Sequence, residues 1–277
     1  MQRDDLTICR DIEYVPGGGE RGLLDVYVPK AARRPVPVVV FFHGGGWNSK
    51  DKSQSPVGEP FEPAGFAVVS ANYRYSTQAP FPAQLQDAKA VVRWVRARAA
   101  EFGFDPDRVA SWGSSAGGYL ASFLGVTGHT REFDVGPYLE FPSTVRAVVD
   151  YYGPSRLDTW ADQMGRATAP GDQQWLRSTL EPMAGGRLEE SAEALRRASP
   201  QFYLRPGAAP HLLLHGTADR FVPAQQSVDF AAACKKVGVP CELILREGGG
   251  HGDEYFKTPE MGRGICRFLG RWLDVKG

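Results

Sequence analysis

Eight stretches of the chain carry strand-like patterns of apolar residues, and helix-spaced apolar stripes lie between several of them. Residues 6–15 and 23–28 read as two strands split by the turn Pro16-Gly17-Gly18-Gly19. Residues 36–42 form a continuous apolar run broken only by Pro37, the mark of a strand buried on both faces. Residues 66–70, 109–112, 145–151, 211–215 and 241–245 read in the same way. Between them the spacing turns helical. Leu85, Ala88, Val92, Val95, Ala99 and Phe102 predict a helix within 82–102. Phe230, Ala233, Cys234 and Val237 predict a second, closed by Gly238 as its C-cap. Met261, Ile265, Phe268, Leu269 and Trp272 predict a third near the C-terminus.

Strands that alternate with helices predict an α/β fold, with a mostly parallel sheet and helices on both faces. The tight turn between the first two strands adds an antiparallel edge. Segment 154–206 breaks the rhythm. It has helical patches, no buried strand, and the large residues Trp160, Met164, Trp175 and Met183. It reads as a small cap-like insertion over the strand ends, within one domain that spans 1–277.

Composition narrows the field. Of 277 residues, 42% are hydrophobic and 23% charged, so a sizeable core is expected. Lysine plus arginine number 32, as do aspartate plus glutamate, and no polybasic run exists. Nucleic acid and anionic membrane surfaces are therefore not expected as partners. No apolar run approaches the roughly 20 residues of a membrane-spanning helix. Residues 1–10 lack the apolar stretch of a secretory signal, so the expectation is a cytoplasmic protein, monomeric or homodimeric. Cys9, Cys234, Cys241 and Cys266 are scattered without zinc-ligand spacing and read as free thiols. No metal or cofactor is expected.

The sharpest chemical signal is Gly113-Ser114-Ser115-Ala116-Gly117, a G-x-S-x-G pattern centred on Ser115. A strand pattern precedes it and a helical one follows. A serine at such a turn is exposed above the sheet, and small residues on either side avoid clashes. The second signal is His43-Gly44-Gly45-Gly46-Trp47, directly after the buried strand 36–42. Acyl transfer develops negative charge on a carbonyl oxygen, and glycine amides can approach it closely. Gly45, Gly46 and Ala116 are the expected donors. Gly44 is expected to shape the turn, and His43 to orient the loop.

A serine nucleophile needs a base, and the base needs an orienting carboxylate. Of five histidines, His251 lies in the glycine-flanked loop 248–252 just past the last strand. His211 and His215 fall in a strand and read as packing or anchoring residues, and His129 lies in a loop. Asp219, four residues after His215, is the favoured acid, with Asp150 and Asp253 as alternatives. Asp87 and Asp105 read as helix-surface and turn residues. The order Ser115, Asp219, His251 is the chain order of an α/β-hydrolase triad.

Six ordered segments carry a resemblance over nearly the whole chain: HGGGW at 43–47, NYRY at 72–75, FPAQLQDAKAVVRWVR at 81–96, DPDRVASWGSSAGG at 105–118, HGTADRFVPAQQS at 215–227 and GGGHG at 248–252. The chain resembles the α/β-hydrolase superfamily. More narrowly it is similar to the small feruloyl- and acetylxylan-esterase-like carboxylesterases and to the hormone-sensitive-lipase-like esterases. The lipase-like branch often has an aspartate where Ser114 stands, and its long N-terminal cap is absent here, which favours the carbohydrate-ester branch. The resemblance implies an eight-stranded sheet, the triad Ser115, Asp219 and His251, and an oxyanion hole on Gly45, Gly46 and Ala116. It implies a serine carboxylesterase of short-chain acyl esters, with acetyl or feruloyl esters of carbohydrates as candidates, a small-molecule substrate and no cofactor. Amide-cleaving relatives, such as an arylformamidase or a prolyl-oligopeptidase-like peptidase, and a non-catalytic binding module are the alternatives. Trp47 and Tyr151 are expected to line the pocket.

Overall fold

The structure, a computed structural model, describes residues 5–57, 65–165 and 170–275. Its strands are β1 (Leu6–Glu13), β2 (Leu23–Pro29), β3 (Val36–Phe42), β4 (Ala67–Ala71), β5 (Phe104–Ser114), β6 (Val148–Tyr151), β7 (His211–Gly216) and β8 (Cys241–Arg246). They form one sheet in the order β1-β2-β4-β3-β5-β6-β7-β8. β2 pairs antiparallel with both neighbours, and every other pairing is parallel. This is the α/β-hydrolase fold that the sequence resemblance implies.

The helices are α1 (Ala83–Ala97), α2 (Ala99–Phe102), α3 (Ala116–Val126), α4 (Leu157–Met164), α5 (Pro170–Ala184), α6 (Ala192–Arg197), α7 (Gln225–Val237) and α8 (Pro259–Trp272). They divide the core between the two sheet faces. Successive strand side chains point to opposite faces. Val38, Val40 and Phe42 of β3 therefore join α1, α3 and α7 on one side. Val39 and Phe41 join Ile265, Phe268 and Leu269 of α8 on the other. All seven residues of β3 are buried, which explains its unbroken apolar run.

Two predicted elements change shape for visible reasons. β5 starts at Phe104 rather than at 109, because the register jumps from Val36↔Phe104 to Val38↔Val109. Residues 105–108 bulge out between them, tied by an Asp105–Arg108 ion pair of 2.7 Å. The helix expected within 82–102 ends at Ala97, and a further turn, α2, is closed by Gly103 at φ +69°. Segment 154–206 contributes α4, α5 and α6 between β6 and β7, and its residues 166–169 lie outside the described residues.

α1 also carries a stripe of buried cations. Lys89 Nζ donates to the carbonyls of Thr127 and Thr130 and to Ser143 Oγ, and pairs with Asp134 at 3.0 Å. Arg93 donates to the carbonyls of Val135 and Pro137, and Arg96 to those of Pro142 and Thr144. The long connection 127–144 is thereby fastened to the helix with almost no ladder of its own.

Candidate active site

β5 ends at Ser114 and α3 begins at Ala116, which leaves Ser115 alone at the corner. Its backbone sits at φ 55°, ψ −120°. Such a conformation costs an L-residue about 1–3 kcal/mol and persists only where neighbours hold it. Here they do. The Ser115 N–H donates to the Tyr151 carbonyl at 2.7 Å, and its carbonyl accepts from Tyr119 N at 3.0 Å. The flanking glycines have no substitute. A Cβ on Gly113 would lie 2.1 Å from the Gly117 carbonyl oxygen, and one on Gly117 would lie 1.9 Å from that of Phe42.

His251 reaches this corner from the loop after β8. Ser115 Oγ is 3.0 Å from His251 Nε2, and His251 Nδ1 is 2.7 Å from Asp219 Oδ2. With the proton on Nδ1, the imidazole donates to the carboxylate and accepts from the serine. Asp219 sits on the turn after β7, where its Oδ1 accepts from Phe221 N and Val222 N, both at 2.9 Å. Burial pushes the Asp219 carboxyl up, but hydrogen bonds from His215 and His251 outweigh it and bring it to about 2. The group is therefore an anion at neutral pH. Residues far apart in sequence meet because β5, β7 and β8 are parallel and end on one edge.

The loop after β3 lies beside the serine. Gly45 and Gly46 have φ of +102° and +58°. The Gly45 carbonyl accepts from Asn48 N and Ser49 N, each at 3.1 Å, which winds 45–49 into a tight turn. Among the described residues, the Gly45 and Gly46 amides donate to no carbonyl. Ala116 opens α3, so its amide has no partner in its own helix. Gly44 packs under the corner, since a Cβ there would lie 3.0 Å from the Ser114 carbonyl oxygen. His43 is buried, stacked on Tyr73 at 4.3 Å, and its Nδ1 lies 2.7 Å from the Gly44 carbonyl oxygen. Burial lowers it to about 4. It belongs to the support of the loop, as does the Tyr73 hydroxyl that donates to the His43 carbonyl.

Trp47 and Tyr151, expected to line the pocket, are both buried. Trp47 is 1% exposed and packs on Tyr119 and Trp160. Tyr151 is 7% exposed, lies on the α8 face of the sheet, and donates its hydroxyl to the Phe256 carbonyl. The rings that flank His251 are Tyr152, at 4.6 Å between centroids, and Phe221, at 5.6 Å. Tyr152 has φ 45°, and that turn takes its side chain off the strand's alternation. Nothing in the sequence announces a bulky residue in this region. Phe221 had a signal, two residues after Asp219. Trp175 of α5 stacks edge-on against Phe221 at 4.9 Å, and Trp160 Nε1 donates to the Phe221 carbonyl at 2.8 Å. Thr179 of α5 faces Gly46, with its Oγ1 3.6 Å from where a Cβ would stand. Helices α4 and α5 thus pack against the 45–49 loop and Phe221, beside His251.

Asp150 is not part of this relay. Its Oδ2 accepts from Ser122 Oγ at 2.6 Å and its Oδ1 from Gly153 N at 2.8 Å. Burial raises it to about 6, with the two hydrogen bonds opposing. A carboxyl raised in the folded state contributes stability that is full below its unfolded value of 3.8 and is lost as pH rises through about 6. The ionised form costs on the order of 3 kcal/mol. Asp150→Asn should therefore lose less melting temperature than the wild type between pH 5 and pH 8. Equal losses in the two proteins would place the pH dependence elsewhere. Asp253 caps the turn at 254–257 by accepting from Tyr255 N.

Among the described residues, no cluster of three His, Cys, Asp or Glu side chains could hold a metal ion, and no helix is long and apolar enough to cross a membrane.

Comparison with known proteins adds to this geometry. The BD-FAE family profile matches residues 24–234. Esterase LipQ of Mycobacterium tuberculosis (strain ATCC 25618 / H37Rv) is 32% identical over 232 residues, which cover 82% of this chain and 53% of LipQ. The chain spans about half the length of the curated relatives it matches. A solved structure described as a truncated form of a carbohydrate esterase from gut microbiota superposes with TM-score 0.87 at 30% identity, covering 99% of both chains. The butyrate-bound thermophilic esterase Est2 of the Planctomycetes species Thermogutta terrifontis gives TM-score 0.71 at 26% identity, covering 100% of this chain and 98% of that one.

Proposed function

We propose that this chain, which belongs to the BD-FAE family, is a serine carboxylesterase with Ser115, His251 and Asp219 as its triad. One observation carries the reading. A serine held at positive φ is 3.0 Å from an imidazole whose other nitrogen is 2.7 Å from a buried carboxylate. In the first half of the reaction His251 Nε2 takes the Ser115 proton, and Oγ attacks the ester carbonyl. The oxyanion is held by the amides of Gly45, Gly46 and Ala116. Asp219 stabilises the imidazolium that forms, and His251 returns the proton to the leaving alcohol. Water then repeats the sequence on the acyl-enzyme and releases the acid.

The substrate class follows from the cover. α5 lies close over Gly46, and the Trp175–Phe221 pair crowds the approach to His251. A buried methylene gains about 0.8 kcal/mol only where there is room for it. Short acyl esters are therefore the proposed substrates, with carbohydrate acetates foremost. The carbohydrate esterase and butyrate-bound esterase that share the fold agree with this choice. Activity on p-nitrophenyl esters from acetate to palmitate should peak at or below butyrate, and a maximum at octanoate or beyond would sink the acyl assignment. A phosphonate that labels Ser115 and abolishes hydrolysis is the expected test result for the triad. Failure to label, together with no hydrolysis of any ester, would overturn it.

A further inference from the structure

His215 reads from its strand position as a packing residue, and its surroundings give it more to do. The ring is wholly buried near the end of β7. Its Nδ1 is 2.7 Å from Ser227 Oγ on α7. Its Nε2 is 2.8 Å from the Val222 carbonyl oxygen and 3.3 Å from Asp219 Oδ2. A carbonyl can only accept, so Nε2 carries a proton. In the neutral ring Nδ1 is then bare and accepts from the Ser227 hydroxyl. That hydroxyl selects the tautomer and aims the N–H at the turn that bears Asp219.

The carboxylate of Asp219 is consequently surrounded by four donors. Oδ1 takes the amides of Phe221 and Val222. Oδ2 takes the His251 Nδ1–H at 2.7 Å and faces the His215 Nε2–H at 3.3 Å. We propose that His215 is a positioning residue of the esterase. Its Nε2–H pins the 219–222 turn through Val222 and draws on the same Oδ2 that orients His251. This rests on the triad reading given above. An oxygen that serves two imidazoles offers less charge to each, so His215 both steadies His251 and tempers how strongly the carboxylate favours the imidazolium.

The ionisable groups around the ring are few. Asp150 interacts with it electrostatically from β6, Tyr152 stands 6.5 Å away between ring centroids, and Asp219 links it to His251. Removing the Nε2–H should raise the proton affinity of Asp219. A more basic carboxylate stabilises the His251 imidazolium, so the acid limb of the kcat/KM profile should move to higher pH.

The test measures kcat, KM and the pH profile on p-nitrophenyl acetate for the wild type and three variants. His215→Leu should lower kcat about tenfold or more, leave KM within about threefold, and raise the acid limb by about half a pH unit or more. His215→Gln, whose amide nitrogen can take the place of Nε2, should bring the limb back and restore most of kcat. Should the leucine variant not fold, His215→Asn carries the test. Its shorter amide meets Ser227 but not Asp219, and the limb should again rise. An unmoved limb in the Leu and Asn variants, with the wild type active and labelled at Ser115, overturns the role of His215 alone. Equal losses in Leu and Gln with no shift of the limb would do the same, since packing alone explains them. A wild type that neither hydrolyses esters nor takes the phosphonate overturns the triad reading and this inference with it.

Discussion

Ser115→Ala is expected to lower kcat for p-nitrophenyl acetate about 10⁴-fold or more, with the fold intact. The size follows from how a triad works. In the proposed triad His251 and Asp219 act only through the serine oxygen, so its loss disables the whole unit. What remains in that reading is binding and the proposed oxyanion amides of Gly45, Gly46 and Ala116. Alanine keeps the backbone contacts that hold the corner, namely the N–H to Tyr151 and the carbonyl to Tyr119. Circular dichroism and melting temperature should therefore match the wild type. Ser114→Ala is the control. Ser114 ends β5, and the hydrogen bond it shares is with Tyr152. That variant should keep most of its activity. A reversal of the two outcomes would move the nucleophile to Ser114.

The second large effect is expected at Asp219. Asp219→Asn should cost about 10⁴-fold in kcat through the wrong tautomer of His251, with little structural change. An amide nitrogen facing Nδ1 needs that nitrogen bare, which sends the proton to Nε2 and points it at Ser115. The imidazole then cannot accept from the serine. Asp150→Asn should change kcat little, because Asp150 bonds Ser122 and Gly153 rather than His251. Measuring both variants at pH 8 decides between the two carboxylates. An intact rate in Asp219→Asn, or a collapse in Asp150→Asn, would reassign the acid.

The residues that meet at the serine corner were more legible in the sequence than the aromatic rings around them. G-x-S-x-G and HGGG are legible because glycines are demanded by close approach of backbones, and Gly113, Gly117 and Gly45 all show such an approach. Their spacing is therefore a direct trace of geometry. The pocket aromatics leave no such trace. Trp47 and Trp160 look alike in sequence whether they face a ligand or each other, and here they face each other. Tyr151 follows strand alternation into the α8 side of the sheet, and Tyr152 escapes it by a positive φ that no pattern predicts. His215 was hidden for another reason. Its partners are a turn carbonyl and a hydroxyl on α7, contacts that arise only once β7 and α7 pack.

The cations of α1 were similarly opaque. Lys89, Arg93 and Arg96 look like a solvated helix face, yet they close the hydrogen bonds of segment 127–144. A stretch without its own ladder would ordinarily fray residue by residue. Here its carbonyls are gathered onto three side chains of one rigid helix. Peeling the segment away would strand several buried charges at once, a far steeper cost than losing single loop contacts. The connection is therefore bound to the same cooperative unit as α1, and local opening stops short of it although it has the outward look of a loop.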